Sequence, residues 1–244
     1  MRNTLLLLLA SCLMVGAANA ADKPAASPWK RSAELGLIRT TGNTQTQTLA
    51  AKADVVYEVE KWRHTGHAEA FGQQTTDKGT GETVNSAERY ELSGKSDYKF
   101  SKLDYIFGLA DLKRDRFSGF DYEYAFSAGY GRTLLKRTNM QLDVEIGPGI
   151  RFFKEDKGTA DNEAILRLAG KYWWAITDNS KFTQNLSVDI GEQFTTTKSV
   201  SGLQANISNM LALKLTYTLL NKSNVPTGTE STDTELATTL VYSF

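Results

Sequence analysis

Apolar and polar positions alternate along most of this chain with a period of two. In "FDYEYAFSAGYGRTLL", Phe120, Tyr122, Tyr124, Phe126, Ala128 and Tyr130 share one parity, and Asp121, Glu123, Ala125, Ser127 and Gly129 share the other. Successive side chains of a strand point to opposite faces, so this stretch has an aromatic face and a small or acidic one. The pattern recurs. "YELSGKSDYKF" sets Tyr90, Leu92, Gly94, Tyr98 and Phe100 against Glu91, Lys95, Asp97 and Lys99. "QLDVEIGPGIRF" sets Leu142, Val144, Ile146, Pro148, Ile150 and Phe152 against Asp143, Glu145 and Arg151. "LALKLTYTL" and "ELATTLVYSF" repeat it toward the end of the chain. Alternation this widespread predicts an antiparallel all-β protein. Two segments fit less cleanly: the apolar residues of "HTGHAEAFG" are small, and either phase of "LDYIFGLADLKRD" turns something awkward outward, such as Asp111.

The connections fall into two interleaved sets. One is tight: "EKWR", "SKL", "LKRT", "TDNS" and "SNM". The other is mostly longer and polar: "TGNT", "TTDKGTGET", "RFSG", "EDKGTADN", "TTKSVSG" and "NKSNVPTGTEST". Together they predict about twelve strands, with both chain ends on the short-turn side, as in a transmembrane β-barrel with short periplasmic turns and longer extracellular loops.

A soluble β-sandwich would show the same alternation, so other signals must decide. Aromatics collect near strand ends: Trp62, Tyr98, Phe100, Tyr105, Trp173, Trp174 and Tyr242 near the short turns, and Phe117, Phe120, Phe152 and Phe194 near the long loops. Two such girdles suit the two membrane interfaces. The chain also stops on an aromatic inside a strand, "LVYSF", where Tyr242 and Phe244 would form a signal for the barrel-insertion machinery. These features favour a closed barrel in outer-membrane lipid, in which every backbone N–H finds a partner.

The N-terminus points the same way. Arg2, the apolar run "LLLLLASCLMV" and the small residues Ala18–Ala20 read as a secretory signal over residues 1–20, too short to span a bilayer. "LASC" resembles a lipobox ending at Cys12, but little apolar sequence precedes it and a good cleavage site follows. Residues 21–28 read as a polar lead-in, and 29–244 as the barrel. The formal net charge of zero, with no basic stripe, gives no argument for nucleic acid.

Three stretches carry a family resemblance: "LGLIRTTGNTQTQTLAAKADVVYE", with a hairpin turning on Gly42-Asn43-Thr44; "KRDRFSGFDYEYAFSAGYGRTLL"; and the ending "STDTELATTLVYSF". With them the chain resembles the YdiY-like family, described as salt-induced outer-membrane proteins and defined by a domain of unknown function. The resemblance implies an outer-membrane barrel of a Gram-negative bacterium, with expression linked to salt or envelope stress. It brings no catalytic residues.

Nothing in the residues demands chemistry. His64 and His67 sit three apart on a strand, so they point to opposite faces and cannot share a metal or a catalytic water. Asp121/Glu123 and Asp143/Glu145 offer paired carboxylates, but a wet lumen in which acids pair with Lys95, Arg151, Arg167 and Lys171 explains them without catalysis. "EDKGTADNE" lacks the register of a calcium loop. The expectation is therefore a barrel without enzymatic activity and without cofactor, with an outer-membrane enzyme as the remote alternative. Its lumen would be lined by Glu91, Lys95, Asp97, Asp121, Glu123, Asp143, Glu145, Arg151, Arg167, Lys171 and Asp189. Acids outnumber bases on this phase assignment, which favours passage of cations or small solutes if the lumen is open. A barrel plugged by its own side chains, acting through its loops or a partner, is the alternative.

Overall fold

The structure, a computed structural model, describes residues 27–40, 44–77, 80, 82–116, 118–156, 158–226 and 228–244. The secretory signal, most of the lead-in, the Gly42-Asn43 turn and Phe117 lie outside the described residues.

Twelve strands follow in order: β1 Trp29–Thr40, β2 Thr44–Glu58, β3 Trp62–Asp77, β4 Thr83–Lys99, β5 Asp104–Asp115, β6 Phe120–Arg137, β7 Met140–Glu155, β8 Ala160–Thr177, β9 Ser180–Gly191, β10 Thr195–Asn206, β11 Leu211–Lys222 and β12 Thr232–Ser243. Each pairs antiparallel with its sequence neighbours, and β1 pairs with β12, so the sheet closes into a barrel. At the seam, Ser32–Leu35 pair with Leu240–Ser243, and the Phe244 N–H donates to the Arg31 carbonyl at 3.1 Å. The ends of β1 and β12 therefore meet on the side of the tight connections, such as 138–139 and 178–179.

The two faces of the wall divide as the alternation requires. Leu35, Leu37, Leu92, Ile106, Leu134, Ile146, Leu213 and Leu236 are all exposed on the outside. A water-soluble monomer does not carry an apolar belt of this extent, whereas a barrel in lipid needs one. Below the belt, at the short-turn end, aromatic pairs follow one another around the rim. Trp29 lies against Tyr57 (4.7 Å), Trp62 against His64 (5.5 Å) and Tyr98 (5.0 Å), Phe100 against Tyr130 (6.4 Å), and Tyr242 against Phe244 (5.6 Å). Strands β4, β6 and β8 run to 17, 18 and 18 residues. Crossing the membrane takes only ~9–11 residues, so their polar upper ends project beyond it.

Several expectations need correction. "TTKSVSG" is not a loop: it opens β10, and the connection from β9 is the shorter 192–194. A run of Ser and Thr reads as loop in a water-soluble protein, but threonine is β-branched and the lumen face accepts polar side chains. Four of the girdle aromatics, Tyr105, Phe120, Trp173 and Phe194, turn inward instead. Phe120 is 1% exposed and packs with Phe153 and Phe194 inside the barrel, and Tyr105 is buried there too. For Phe120 the cause is a register shift between Phe120 and Tyr122 against β7, with a second between Lys113 and Asp115 on β5. One extra residue reverses the parity of everything beyond it. In "LDYIFGLADLKRD" the chain resolves the conflict by turning Tyr105, Phe107, Leu109 and Asp111 inward, leaving Ile106 outside.

The β6–β7 pair contains a close backbone approach. Pro148 has no N–H to give to the ladder, and pairing passes from Ser127↔Gly149 directly to Tyr130↔Ile146. Gly129 and Gly147 face each other across this gap, where a Cβ on Gly147 would lie 2.2 Å from the Ala128 carbonyl oxygen.

Candidate functional site

The inner faces of the strands enclose a cavity of about 810 Å³. Its lining runs from Ser86, Asp115 and Asp233 near the long-loop end to Arg63, Asp97 and Asp143 near the short-turn end. A second space of about 70 Å³ lies to one side, toward the long loops, lined by Glu123, Arg151, Asp189 and Lys222 among others. Both spaces are walled by charge. Twelve carboxylates and nine lysine or arginine side chains line the larger one.

Most of these charges are tied to one another, and many pairs reach across the barrel rather than along the wall. Lys198 on β10 donates to both carboxylate oxygens of Glu91 on β4, at 2.7 and 2.6 Å. Those strands are six apart in a ring of twelve, so the pair joins opposite walls and separates the large cavity from the small one. Lys222 on β11 pairs with Glu123 on β6. Arg89 on β4 holds Glu69 on the neighbouring strand (2.6 Å) and Glu235 on β12 (2.8 Å). Lower down, Arg63 pairs with Asp97 (2.6 Å) and reaches Asp143 on β7 (3.6 Å), while Lys95 links Asp97 (2.9 Å) to Glu145. Tyr105 donates its hydroxyl to Glu145 at 2.8 Å. Pairs of this kind fix the cross-section of the lumen, because neither wall can move without separating two charges of low exposure.

One sector of the long-loop half is filled. The Arg151 guanidinium holds Glu163 at 2.6 Å, donates to the Phe194 carbonyl at 2.5 Å and lies 3.7 Å from the centre of the Phe194 ring. Lys222 sits 3.9 Å over Phe120. The aromatic triad and these two cations close the β6–β11 side, so the large cavity follows the β12–β4 side of the upper barrel.

The sequence-derived lumen residues fall as follows. Glu91, Lys95, Asp97, Asp143, Glu145, Arg167 and Lys171 line the large cavity, and Glu91, Glu123, Arg151, Arg167 and Asp189 line the small one. Asp121 lines neither. It lies at the bulge that inverts Phe120, at the outer rim, in an ion pair with Lys154. Of the four cations expected to neutralise the paired carboxylates, only Lys95 does so. Arg151 takes Glu163 and Arg167 takes Asp189 (2.8 Å). Lys171 has no carboxylate in ion-pair reach among the described residues. Tyr242 and Phe244 are exposed on the outer face, stacked on each other at the seam.

Glu34, Arg63, Arg89, Asp111, Lys113, Glu163, Lys198 and Lys222 also face the lumen, beyond the residues expected from the alternation. Arg89 shares the parity of Glu91, and Arg63 that of His67, so extending the alternation would have found them; Lys198 was hidden in the run read as a loop. The histidines do take opposite faces. His64 stacks on Trp62 outside, and His67 bonds Asp54 at 2.8 Å inside.

A family model described as "Protein of unknown function, DUF481" matches residues 33–244. The chain is 31% identical over 225 residues to "Uncharacterized protein YdiY" of Escherichia coli (strain K12), covering 91% of this chain and 86% of that one. Among solved structures, the fold is similar to that of the COG4313 outer membrane channel from Pseudomonas putida F1, with TM-score 0.51, 9% identity, and coverage of 95% of this chain and 100% of that one. It is also similar to the NanC porin, with TM-score 0.51, 11% identity, and coverage of 87% and 98%. At such identities the likeness is one of fold.

Proposed function

The chain belongs to the DUF481 family, whose function is unknown, and we propose that it is an outer-membrane barrel without enzymatic activity whose lumen is a narrow, cation-leaning passage for ions and small solutes. The observation that carries this reading is the charged cavity of about 810 Å³, in which acids outnumber lysines and arginines twelve to nine and whose lining residues span most of the wall. Fixed acids inside a low-dielectric wall raise the local cation concentration and repel anions. Export by a cleaved leader over residues 1–20, and insertion guided by Tyr242 and Phe244, complete the proposal. A link to salt or envelope stress rests on the family resemblance alone.

The second reading is a structural barrel with a closed lumen. The cross-wall pairs Glu91–Lys198 and Glu123–Lys222 and the buried Phe120/Phe153/Phe194 cluster favour it, since each occupies cross-section that a wide pore would leave free. Solute exchange decides between them. Vesicles containing the refolded protein should swell in isotonic solutions of small solutes such as glycine, and more slowly as solute size rises. Vesicles that stay as tight as protein-free ones, with the barrel shown to be folded, would leave the structural reading standing.

A further inference from the structure

We propose that the β8–β9 wall of the lumen carries a holding site for a small organic carboxylate, built from Lys171, Asn185 and Lys181. Nine inward cations of the barrel, from Lys52 to Lys222, each lie within 3.2 Å of a carboxylate. Lys113, Lys171 and Lys181 do not, among the described residues, and of these Lys171 and Lys181 lie together on the β8–β9 wall. The acid opposite Lys171 in the sheet, Asp143, is already engaged by Thr133 (2.7 Å), Gln141 (2.9 Å) and Arg63 (3.6 Å).

The three side chains share one patch. Asn185 is the cross-strand partner of Lys171, and both line the cavity. Lys181 has the same parity as Asn185, one pair of inward steps nearer the short-turn end, and its ammonium lies 5.6 Å from the centre of the Trp173 ring. Lys171, Lys181 and Asn185 are all exposed although their strand face is the inner one, so they stand in open lumen rather than in packed interior. On the side away from β7 the wall around them holds no acid. Inward positions along the lower halves of β8 to β11 are Ala, Lys, Trp, Thr, Asn, Gly and Gln, and the first carboxylate on β9, Asp189, is taken by Arg167.

Two ammonium groups of like sign, left without counter-charge, are stabilised by whatever anion enters. The amide of Asn185 adds a donor, and the flat face of Trp173 offers apolar surface to a carbon skeleton, which selects an organic carboxylate over chloride. Lysine presents a point charge on a flexible stem, so the solute is held loosely and released, as a passage requires. The site acts locally, on one wall, within a lumen whose acids are in excess overall. It rests on the open-lumen reading for access, though not for its chemistry.

The test is titration of the refolded protein in detergent with succinate, read by isothermal calorimetry, beside sodium chloride at matched ionic strength. Wild type should bind succinate saturably and chloride not measurably. Lys171→Gln/Lys181→Gln should weaken succinate binding by tenfold or more, and Lys52→Gln, which alters an inward lysine already paired with Glu69, should leave it within about twofold. Folding of each variant is checked by the shift in gel mobility on heating. Binding in the variant equal to wild type, absent binding in both, or equal response to chloride would overturn the site. Current through planar bilayers is measured on the same samples. Current without succinate binding removes the site and keeps the passage; binding without current keeps the site and removes the passage.

Discussion

Leu168 and Ala169 are adjacent residues at the centre of β8, and they face different solvents. Leu168 is the ninth of eighteen residues in the strand, exposed on the outer face and paired with Ile146 on β7. Ala169 faces the lumen, lines the large cavity and lies opposite Glu145. Leu168→Lys puts an ammonium near the bilayer midplane, at a cost of about 2–4 kcal/mol. At about 3 kcal/mol the folding equilibrium falls by roughly two orders of magnitude. Ala169→Lys places the same group one residue away in a wet lumen beside Glu145, where an accessible pair is worth about 0–1 kcal/mol. The two variants carry the same added charge on adjacent residues, so the main difference between them is the face they address. The assay is urea-dependent folding into lipid vesicles, followed by tryptophan fluorescence and by the gel-mobility shift of the folded barrel. Leu168→Lys should lose several kcal/mol, and Ala169→Lys should stay within about 1 kcal/mol of wild type. Equal losses, or the larger loss at Ala169, would refute the assignment of faces on which the lumen rests.

Two further expectations can be checked in the same assay, and a third in cells. Gly147→Ala forces a Cβ toward the Ala128 carbonyl oxygen at 2.2 Å, so β6 and β7 must part, costing about 1–3 kcal/mol; Gly72→Ala, with open space around it, should cost far less. Arg151→Met leaves Glu163 buried without its cation and should cost about 3–5 kcal/mol, most of it recovered in Arg151→Met/Glu163→Gln. Deleting Phe244 removes one exposed ring, yet should lower the amount of barrel recovered in outer membranes several-fold; unchanged recovery would remove the assembly role proposed for Tyr242 and Phe244.

The residues that could be read from sequence are those whose environment is set by their own strand. Alternation in "YELSGKSDYKF" and "QLDVEIGPGIRF" is enough to put Leu92 and Ile146 outside and Glu91 and Glu145 inside, because parity is a local property of the backbone. The strand count follows from the turns. Bulges are not legible in this way, since a single extra residue near Asp121 sent Phe120 inward and left Asp121 at the rim with Lys154. Partner choice is not legible either. Which cation meets Glu91 depends on the stagger and diameter of the closed sheet, and the answer, Lys198, lies 107 positions away on the opposite wall. The same distance effect hid the vacancy of Lys171, whose expected acids are claimed by Arg63 and Lys95.

The central claim, an acid-rich passage through the barrel, is tested most directly by the reversal potential of the protein in a planar bilayer under a potassium chloride gradient. An open, acid-rich lumen should give stepwise current that reverses on the side expected for potassium, with a smaller shift after Asp111→Asn, which neutralises an acid lining both cavities. A folded barrel that carries no current, or one whose potential reverses on the chloride side, would contradict it.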